Sequence, residues 1–252
     1  MLSGSAVIIT GASSGIGRAT ALELAGQGAK LCLLARSEVA LAQVAEEAKA
    51  RGAQEALIAA CDVQKAFEVE RAVQVALNEF GRIDILINSA GLSLNGEVDG
   101  YALDDWRTVI DTNLTGTFLT CRAVLPAMKQ QRSGQIINIS SGAGRNGIKN
   151  MAAYCAAKFG VVGFTESLGL EVRNHNIRVS VLLPGSVATN FSRTASRADQ
   201  TQPENAEQRD ISYAMTAEEV ASVITAMLAQ PAQAWMSEIV LRPLNLELRR
   251  TI

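Results

Sequence analysis

A glycine-rich turn between a strand-forming segment and a helix-forming segment constrains the fold of this chain more than any other feature. Residues 6–10 are short, β-branched and apolar, which predicts a buried strand of a parallel sheet, and helix-forming residues begin at Arg18. In such a unit, backbone N–H groups and the helix dipole face one point, and glycine lets an anion approach closely. The glycines are spaced Gly-x-x-x-Gly-x-Gly rather than Gly-x-Gly-x-x-Gly. We predict a diphosphate site formed by Gly11, Ser13, Ser14, Gly15, Ile16 and Gly17.

Strand and helix patterns alternate along the rest of the chain. Further strands are predicted at 30–35, 56–60, 83–87, 135–139, 177–183 and 238–241, and helices at 37–50, 64–80, 103–128, 153–174 and 217–229. The long helix at 103–128 has a possible bend near Pro126. This alternation predicts an α/β fold, a doubly wound parallel sheet of about seven strands with helices on both faces. No linker or repeat interrupts it, so we expect residues 1–252 to form a single domain.

Tyr154 and Lys158 stand four residues apart on the helix predicted at 153–174, so both leave the same face. An ammonium beside a phenol favours the phenolate, and we expect it to lower the pKa of Tyr154 from its usual value near 10. Tyr154 then becomes a candidate proton donor and acceptor near neutral pH. An ordinary helix surface is the alternative, because Tyr-x-x-x-Lys is a common pattern.

Polar residues follow several predicted strands at the point where each strand ends. In a parallel sheet these ends meet along one rim, where ligands bind. The residues are Asp62 after strand three, Asn88–Gly91 after strand four, Ser140 and Ser141 after strand five, and 184–189 after strand six. Asn113 is a polar residue within an apolar helix, which suggests an inward-facing role.

Composition excludes several function classes. The net charge is −2 with no block of like charges, so neither nucleic acid nor anionic lipid is an expected partner. The apolar runs are strand-sized and the first five residues lack a basic region, so we expect no membrane span or signal peptide and a cytoplasmic location. The four cysteines form no Cys-x-x-Cys pair and are expected as free, buried thiols, and Cys155 is expected to be structural. His175 is the only histidine, which argues against a Ser-His-Asp triad and an imidazole-based zinc site, and we expect no metal.

Together these motifs resemble the short-chain dehydrogenase/reductase family. The resemblance rests on the segment Thr10–Gly17, Asn88–Gly91, Asn113, Ser141, Tyr154 with Lys158, and Pro184-Gly185, with 13 positions from Ser141 to Tyr154. It covers residues 5–241, and Ser89 departs from the second asparagine usual in that motif. The resemblance implies a single Rossmann-type domain that uses a nicotinamide cofactor on carbonyl and alcohol groups.

Residue roles follow from the same resemblance. It implies that Tyr154 exchanges a proton with the substrate oxygen, that Lys158 lowers the pKa of Tyr154 and holds the nicotinamide ribose, and that Ser141 binds the substrate oxygen. Ser140 is the other candidate for that last role. Asn113 would position a water that links Lys158 to solvent. The implied cofactor-binding residues outside the glycine turn are Arg36, Asp62, Val63, Asn88, Ala90, Gly91, Tyr154, Lys158, Pro184, Gly185, Val187 and Thr189.

Cofactor choice depends on the end of the second strand. An NAD enzyme usually has a carboxylate there, which bonds the ribose hydroxyls and would repel a 2′-phosphate. This chain has Ala35 followed by Arg36, whose guanidinium can pair with a phosphate. We therefore predict NADP(H) as the cofactor.

The resemblance leaves the substrate open. The preferred hypothesis is an NADPH-dependent carbonyl reductase for small molecules. The C-terminal segment 238–243 lacks the Asp-Gly-Gly sequence that is common among acyl-carrier-protein ketoreductases. A 3-oxoacyl-[acyl-carrier-protein] reductase and a non-catalytic NADP-binding regulator are the alternatives. A substrate lid is expected at about 190–215, and its candidate lining residues are Phe191, Ile211, Tyr213 and Met215. The same segment contains Arg193, Arg197 and Arg209. We interpret these arginines as part of a solvated loop in preference to a binding site for an acidic substrate.

A homodimer or homotetramer is expected, with contacts through the helices at 103–128 and 153–173. The second helix is apolar nearly all round, because it contains Val161, Val162, Phe164 and Leu168.

Overall fold

The computed structural model describes residues 2–189, 191, 214–231 and 233–244. Within these residues one sheet of seven strands runs in the order β3-β2-β1-β4-β5-β6-β7, and every neighbouring pair is parallel. The strands are β1 (Ala6–Thr10), β2 (Lys30–Ala35), β3 (Glu55–Ala60), β4 (Ile85–Asn88), β5 (Gly134–Ile139), β6 (Ile177–Pro184) and β7 (Glu238–Leu241). The predicted doubly wound parallel sheet is confirmed.

Seven α-helices lie in the described part of the chain. They are α1 (Gly15–Ala25), α2 (Glu38–Arg51), α3 (Ala66–Phe80), α4 (Leu103–Ile110), α5 (Gly116–Gln131), α6 (Ala152–Val172) and α7 (Ala217–Leu228). Their ends follow local chemistry: the Ser37 hydroxyl caps α2, and Thr216 with Glu219 forms a capping box on α7. None of the described helices is long and apolar enough to span a bilayer.

The sheet has a hydrophobic core on each face, because successive apolar residues of a strand point to opposite faces. Val7 and Ile9 point to the core shared with α1, α2 and α7, whereas Ile8 points to the core shared with α3, α5 and α6. Burial on both faces explains why β1 is apolar at four of its five residues rather than alternating. The helix that carries Tyr154 and Lys158 therefore lies across the sheet from the helix that follows the glycine turn.

The helix predicted at 103–128 is interrupted in a different place from the one expected. One π-helical turn, Asp111–Thr115, separates α4 from α5, and Pro126 lies inside α5. Side chains bind the backbone of this turn and of the helix before it. The Asn113 amide donates to Val109 O, and the hydroxyl of Thr117 in α5 donates to Asn113 O, each at 2.8 Å. π-turns are often found at functional sites, and this one contains a predicted catalytic residue.

Two further predictions concern the lid and the thiols. Most of the lid predicted at 190–215 lies outside the described residues, including Ile211, Tyr213, Arg193, Arg197 and Arg209, while Phe191 and Met215 are described. The four cysteines are free and buried, as predicted. Burial raises the pKa of Cys32 and of Cys121 to about 12, and that of Cys61 to about 11.

Candidate active site

The glycine turn forms a tight cradle at the start of α1. Gly11 has φ +66°, and a Cβ on it would lie 2.8 Å from Ala90 Cα. A Cβ on Gly17 would lie 2.4 Å from the Gly11 carbonyl oxygen. Ser14 precedes α1 without a side-chain capping bond, and no acidic residue occupies the first turn of that helix. Both the cradle and the uncapped helix N-terminus fit the diphosphate of a dinucleotide.

Thr10 joins the segment after β4 to this cradle. Its buried hydroxyl oxygen accepts the N–H groups of Ser89 and Ala90, each at 3.1 Å. Gly91 continues the segment towards α6, because a Cβ on Gly91 would lie 3.7 Å from Lys158 Nζ. Thr10 begins the glycine motif in the sequence, but no site role was predicted for its hydroxyl. The signal was a hydroxyl at the end of an otherwise apolar strand.

The segment after β6 closes the other side of the cradle. Gly185 N donates to Leu241 O at 2.7 Å, and Val187 pairs with Met215 in an isolated bridge. The Thr189 side chain then reaches the start of α1, with its Cγ2 3.4 Å from the position of a Cβ on Gly15. The residues predicted at 184–189 therefore approach the predicted diphosphate site, as the cofactor assignment requires.

Tyr154 and Lys158 lie together on the buried face of α6. Their relative exposures are 7% and 4%, and Lys158 Nζ is 5.6 Å from the Tyr154 ring centroid. Lys158 Nζ also donates to Ile139 O at 2.9 Å. The phenol is hydrogen-bonded to the Ser141 side chain, and its ring lies 5.5 Å from that of Phe191. The structure thus brings Tyr154, Lys158 and Ser141 into one site.

The two serines after β5 have different partners. The Ser141 oxygen accepts the Ala143 N–H at 3.1 Å and lies at the Tyr154 hydroxyl, whereas the Ser140 hydroxyl donates to Lys158 O at 2.9 Å. Ser140 is 4% exposed. Ser141 is therefore the serine beside Tyr154, and its contact with a substrate oxygen stays a prediction.

The pKa of Tyr154 differs from the sequence prediction. Burial raises the pKa of Tyr154 to about 12, although the hydrogen bond from Ser141 works in the opposite direction. Burial outweighs the influence of Lys158, whose amine donates to Ile139 O at 2.9 Å and lies 5.6 Å from the ring centroid. Burial instead lowers the pKa of Lys158 to about 8. Tyr154 is therefore protonated at neutral pH in this structure and suits proton donation.

Asn113 connects the π-turn to the segment after β4. Its amide nitrogen donates to Leu92 O at 2.8 Å, and its Oδ1 accepts Leu92 N–H at 3.3 Å. A Cβ on Gly91 would lie 2.7 Å from this Oδ1 as well as near Lys158. Asn113 and Lys158 thus meet at Gly91, while the water relay remains a prediction.

Asn88 does not present its side chain to the rim, although the family resemblance implies that it binds the cofactor. Its Nδ2 donates to Asn138 Oδ1 at 2.9 Å, and its Oδ1 accepts the Thr120 hydroxyl at 2.6 Å. The network continues to α6, because Asn138 Nδ2 donates to Thr165 Oγ1 at 2.9 Å. Both ends of the Asn88 amide are occupied inside the protein, so only its backbone remains for a ligand.

The remaining predicted cofactor residues lie near the ends of β2 and β3. Arg36 is exposed and makes no ion pair with any described residue. Asp62 Oδ1 accepts the Gln64 N–H at 3.1 Å, and Val63 packs against α5, with its Cγ2 2.8 Å from the position of a Cβ on Gly116. No group of three potential metal ligands occurs among the described residues.

Comparison with known proteins agrees with this geometry. The family model "short chain dehydrogenase" matches residues 5–200. A 3-oxoacyl-[acyl-carrier-protein] reductase of Synechocystis sp. is 39% identical over 241 residues, 94% of each chain. A metagenomic short-chain oxidoreductase solved with NADP is 34% identical with a TM-score of 0.82, covering 96% of this chain and 98% of its own. Levodione reductase is 31% identical with a TM-score of 0.87 and covers 96% of both chains. The chain therefore belongs to the short-chain dehydrogenase family and is an NAD(P)-dependent oxidoreductase that acts on CH–OH or C=O groups.

Proposed function

We propose that the protein interconverts a small carbonyl compound and its alcohol, with Tyr154 as general acid and base. The observation that carries this proposal is the contact of Tyr154 with Ser141 beside the buried amine of Lys158. The cofactor supplies or accepts the hydride when it is bound. The glycine cradle, Ala90, Gly91, Pro184, Gly185, Val187 and Thr189 would hold it.

The residues of the site divide the remaining work. Ser141 donates a hydrogen bond to the substrate oxygen and stabilises the negative charge that develops there. Tyr154 gives its proton to that oxygen during reduction and takes it back during oxidation. The charge of Lys158 favours the phenolate that remains after the transfer, and Asn113 holds the loop of Gly91 beside both groups.

NADP is the proposed cofactor in preference to NAD. Two features support it: Ala35 offers no carboxylate to repel a 2′-phosphate, and the exposed Arg36 next to it is free of ion pairs with described residues. The metagenomic relative was solved in complex with NADP. Asp62 and Val63 are the proposed adenine-side residues.

A 3-oxoacyl-[acyl-carrier-protein] reductase is the second candidate function. It is favoured by the name of the Synechocystis relative and by that relative's coverage of nearly the whole chain. The name of levodione reductase instead favours small carbonyl substrates. Both candidate functions would use the same catalytic site, and they differ only in the substrate that enters it.

An NADPH-oxidation screen separates these candidates. The panel contains aldehydes, ketones, free 3-oxo acids and acyl thioesters, and the Tyr154→Phe variant is assayed in parallel. Turnover of free aldehydes or ketones supports the first candidate, and turnover of acyl thioesters alone selects the second. Tyr154→Phe should keep NADPH binding and lose about 100-fold or more in kcat. If wild type and Tyr154→Phe both bind NADPH without turnover of any compound, the non-catalytic alternative is favoured.

We also propose a homodimer or homotetramer in the cytoplasm. The predicted reason needs correction, because Val161, Val162 and Leu168 are buried against the chain's own core. The exposed large apolar side chains of α5 and α6 are instead Phe118, Phe159 and Leu170, at 43%, 47% and 65% exposure. Such residues favour association. Light scattering after gel filtration measures the mass, and a monomer at micromolar concentration contradicts the proposal.

A further inference from the structure

Ser140 makes a contact that the reaction does not require directly. Its hydroxyl donates to the main-chain oxygen of Lys158 at 2.9 Å, whereas the Ser141 side chain lies beside Tyr154. Its own N–H remains in the sheet, bonded to Leu182 O at 2.8 Å. Ser140 therefore joins the end of β5 to the backbone of the catalytic lysine without reaching Tyr154.

Two neighbouring residues at the end of β5 form hydrogen bonds with Lys158. Ile139 O accepts its amine at 2.9 Å, and the Ser140 hydroxyl binds its carbonyl. A displacement of α6 along the sheet would stretch both bonds at once. The backbone position and the amine position of Lys158 are consequently coupled.

Gly144 encloses the Ser140–Lys158 contact from the third side. A Cβ on Gly144 would lie 2.5 Å from the Ser140 hydroxyl oxygen and 2.9 Å from Lys158 O. No side chain fits there without moving the serine or the helix. The contact is therefore tightly packed, and a small change in it must be transmitted to α6.

We propose that Ser140 is a positioning residue that sets the place of α6 against β5, and through it the place of the Lys158 amine and the Tyr154 hydroxyl. This inference rests on the proposed catalytic roles of Tyr154 and Lys158. It requires no contact between Ser140 and substrate or cofactor. The effect of Ser140 should appear in the rate of the chemical step rather than in cofactor affinity.

Thr165 provides a matched control for Ser140. Its hydroxyl is also buried, also donates to a carbonyl of α6, Val161 O, and also links α6 to β5 through Asn138. Unlike Ser140, it does not bond to Lys158 through either of these hydrogen bonds. A merely structural role would make Thr165→Val at least as harmful as Ser140→Ala.

The test measures kcat, the Kd of NADPH by fluorescence, and the urea midpoint, with NADPH and the carbonyl compound that turns over fastest in the screen. Ser140→Ala should lower kcat about tenfold and leave the Kd of NADPH within about twofold. Thr165→Val should shift the urea midpoint by a similar or greater amount and leave kcat within about twofold. Ser140→Cys, whose thiol can still donate, should recover part of kcat.

Gly144→Ala provides an independent variant that intrudes on the same contact and should lower kcat in the same way. Equal kcat losses in Ser140→Ala and Thr165→Val would overturn the inference, as would a changed NADPH Kd with unchanged kcat in Ser140→Ala. Tyr154→Phe separates this failure from failure of the proposed function. If Tyr154→Phe keeps full turnover, the catalytic assignment is wrong, whereas an inactive Tyr154→Phe leaves the assignment standing whatever Ser140 shows.

Discussion

The Lys158 amine and the Ile139 carbonyl oxygen form a 2.9 Å hydrogen bond beside the ring of Tyr154, the proposed proton donor. Lys158 is 4% exposed, and burial lowers its pKa to about 8. One carbonyl accepts one of its three N–H donors, so the site keeps a buried ammonium at the expense of folding stability. This cost depends on pH and can be measured.

Replacing Lys158 with Met should remove that dependence. The unfolded lysine holds its proton up to about pH 10.5 and the folded one only to about pH 8, so the unfolded chain binds more protons in this range. Wild type should therefore gain about 1–3 kcal/mol of unfolding free energy relative to Lys158→Met as pH rises from 7 to 10. Urea unfolding at both pH values measures this difference.

Comparison between variants is essential here, because Tyr154 and three buried cysteines also have raised pKa values and would destabilise both proteins equally at high pH. Lys149→Met, at an exposed lysine, serves as the control. A constant difference between wild type and Lys158→Met from pH 7 to 10 would contradict the burial of a charged amine.

Cofactor preference should respond to a carboxylate at the end of β2. Ala35→Asp should lower NADPH affinity about tenfold or more and improve NADH affinity, because the carboxylate repels the 2′-phosphate and can bond ribose hydroxyls. Fluorescence titration with both cofactors measures the change. Gln54→Asp adds the same charge at the opposite end of the sheet edge and should leave both affinities unchanged; an unaltered ratio in Ala35→Asp would remove the argument for NADP.

Gly17→Ala should destabilise the glycine cradle. Its added Cβ would lie 2.4 Å from Gly11 O, a backbone atom that cannot move without reshaping the turn. We expect a loss of about 2 kcal/mol or more in unfolding free energy and of measurable NADPH binding. Gly26→Ala, at the other end of α1, meets its nearest atom at 3.5 Å and should be close to neutral. Thermal unfolding with and without NADPH measures the stability and the cofactor binding of both variants. Equal behaviour of the two would contradict the close approach of residue 17 to Gly11 O.

Asn88→Leu should act on stability rather than on cofactor binding. The substitution removes the amide donor of Asn138 Oδ1, which keeps only the longer bond from the Cys121 thiol, and it removes the shortest of the three acceptors of the Thr120 hydroxyl. We expect a cost of about 1–3 kcal/mol. Asn78→Leu, at an exposed position on α3, is the control. Urea unfolding and NADPH titration separate the effects; weaker NADPH binding at unchanged stability would restore the role predicted from the sequence.

Sequence periodicity was sufficient for the sheet and insufficient for the long helix. Continuous apolar runs such as residues 6–9 and 85–87 fit a parallel sheet covered on both faces. The interruption at Asp111–Thr115 has no such signal, and Asn113 within it bonds to Leu92, a residue distant in the chain. Pro126 was the expected position of a bend, because proline disrupts helices, yet it lies inside α5.

The sequence by itself determined the order of the strands and helices and the position of the glycine turn, because both depend on local patterns along the chain. The family resemblance added Ser141, Tyr154 and Lys158 as predicted site residues, with Ser140 as the alternative to Ser141. Only the tertiary structure decided which partner each polar side chain takes. It assigned Asn88 to the buried network with Asn138, Ser140 to Lys158 O, and the Lys158 amine to Ile139 O. Those choices depend on which groups are desolvated together, and desolvation is a property of the packed core rather than of any segment.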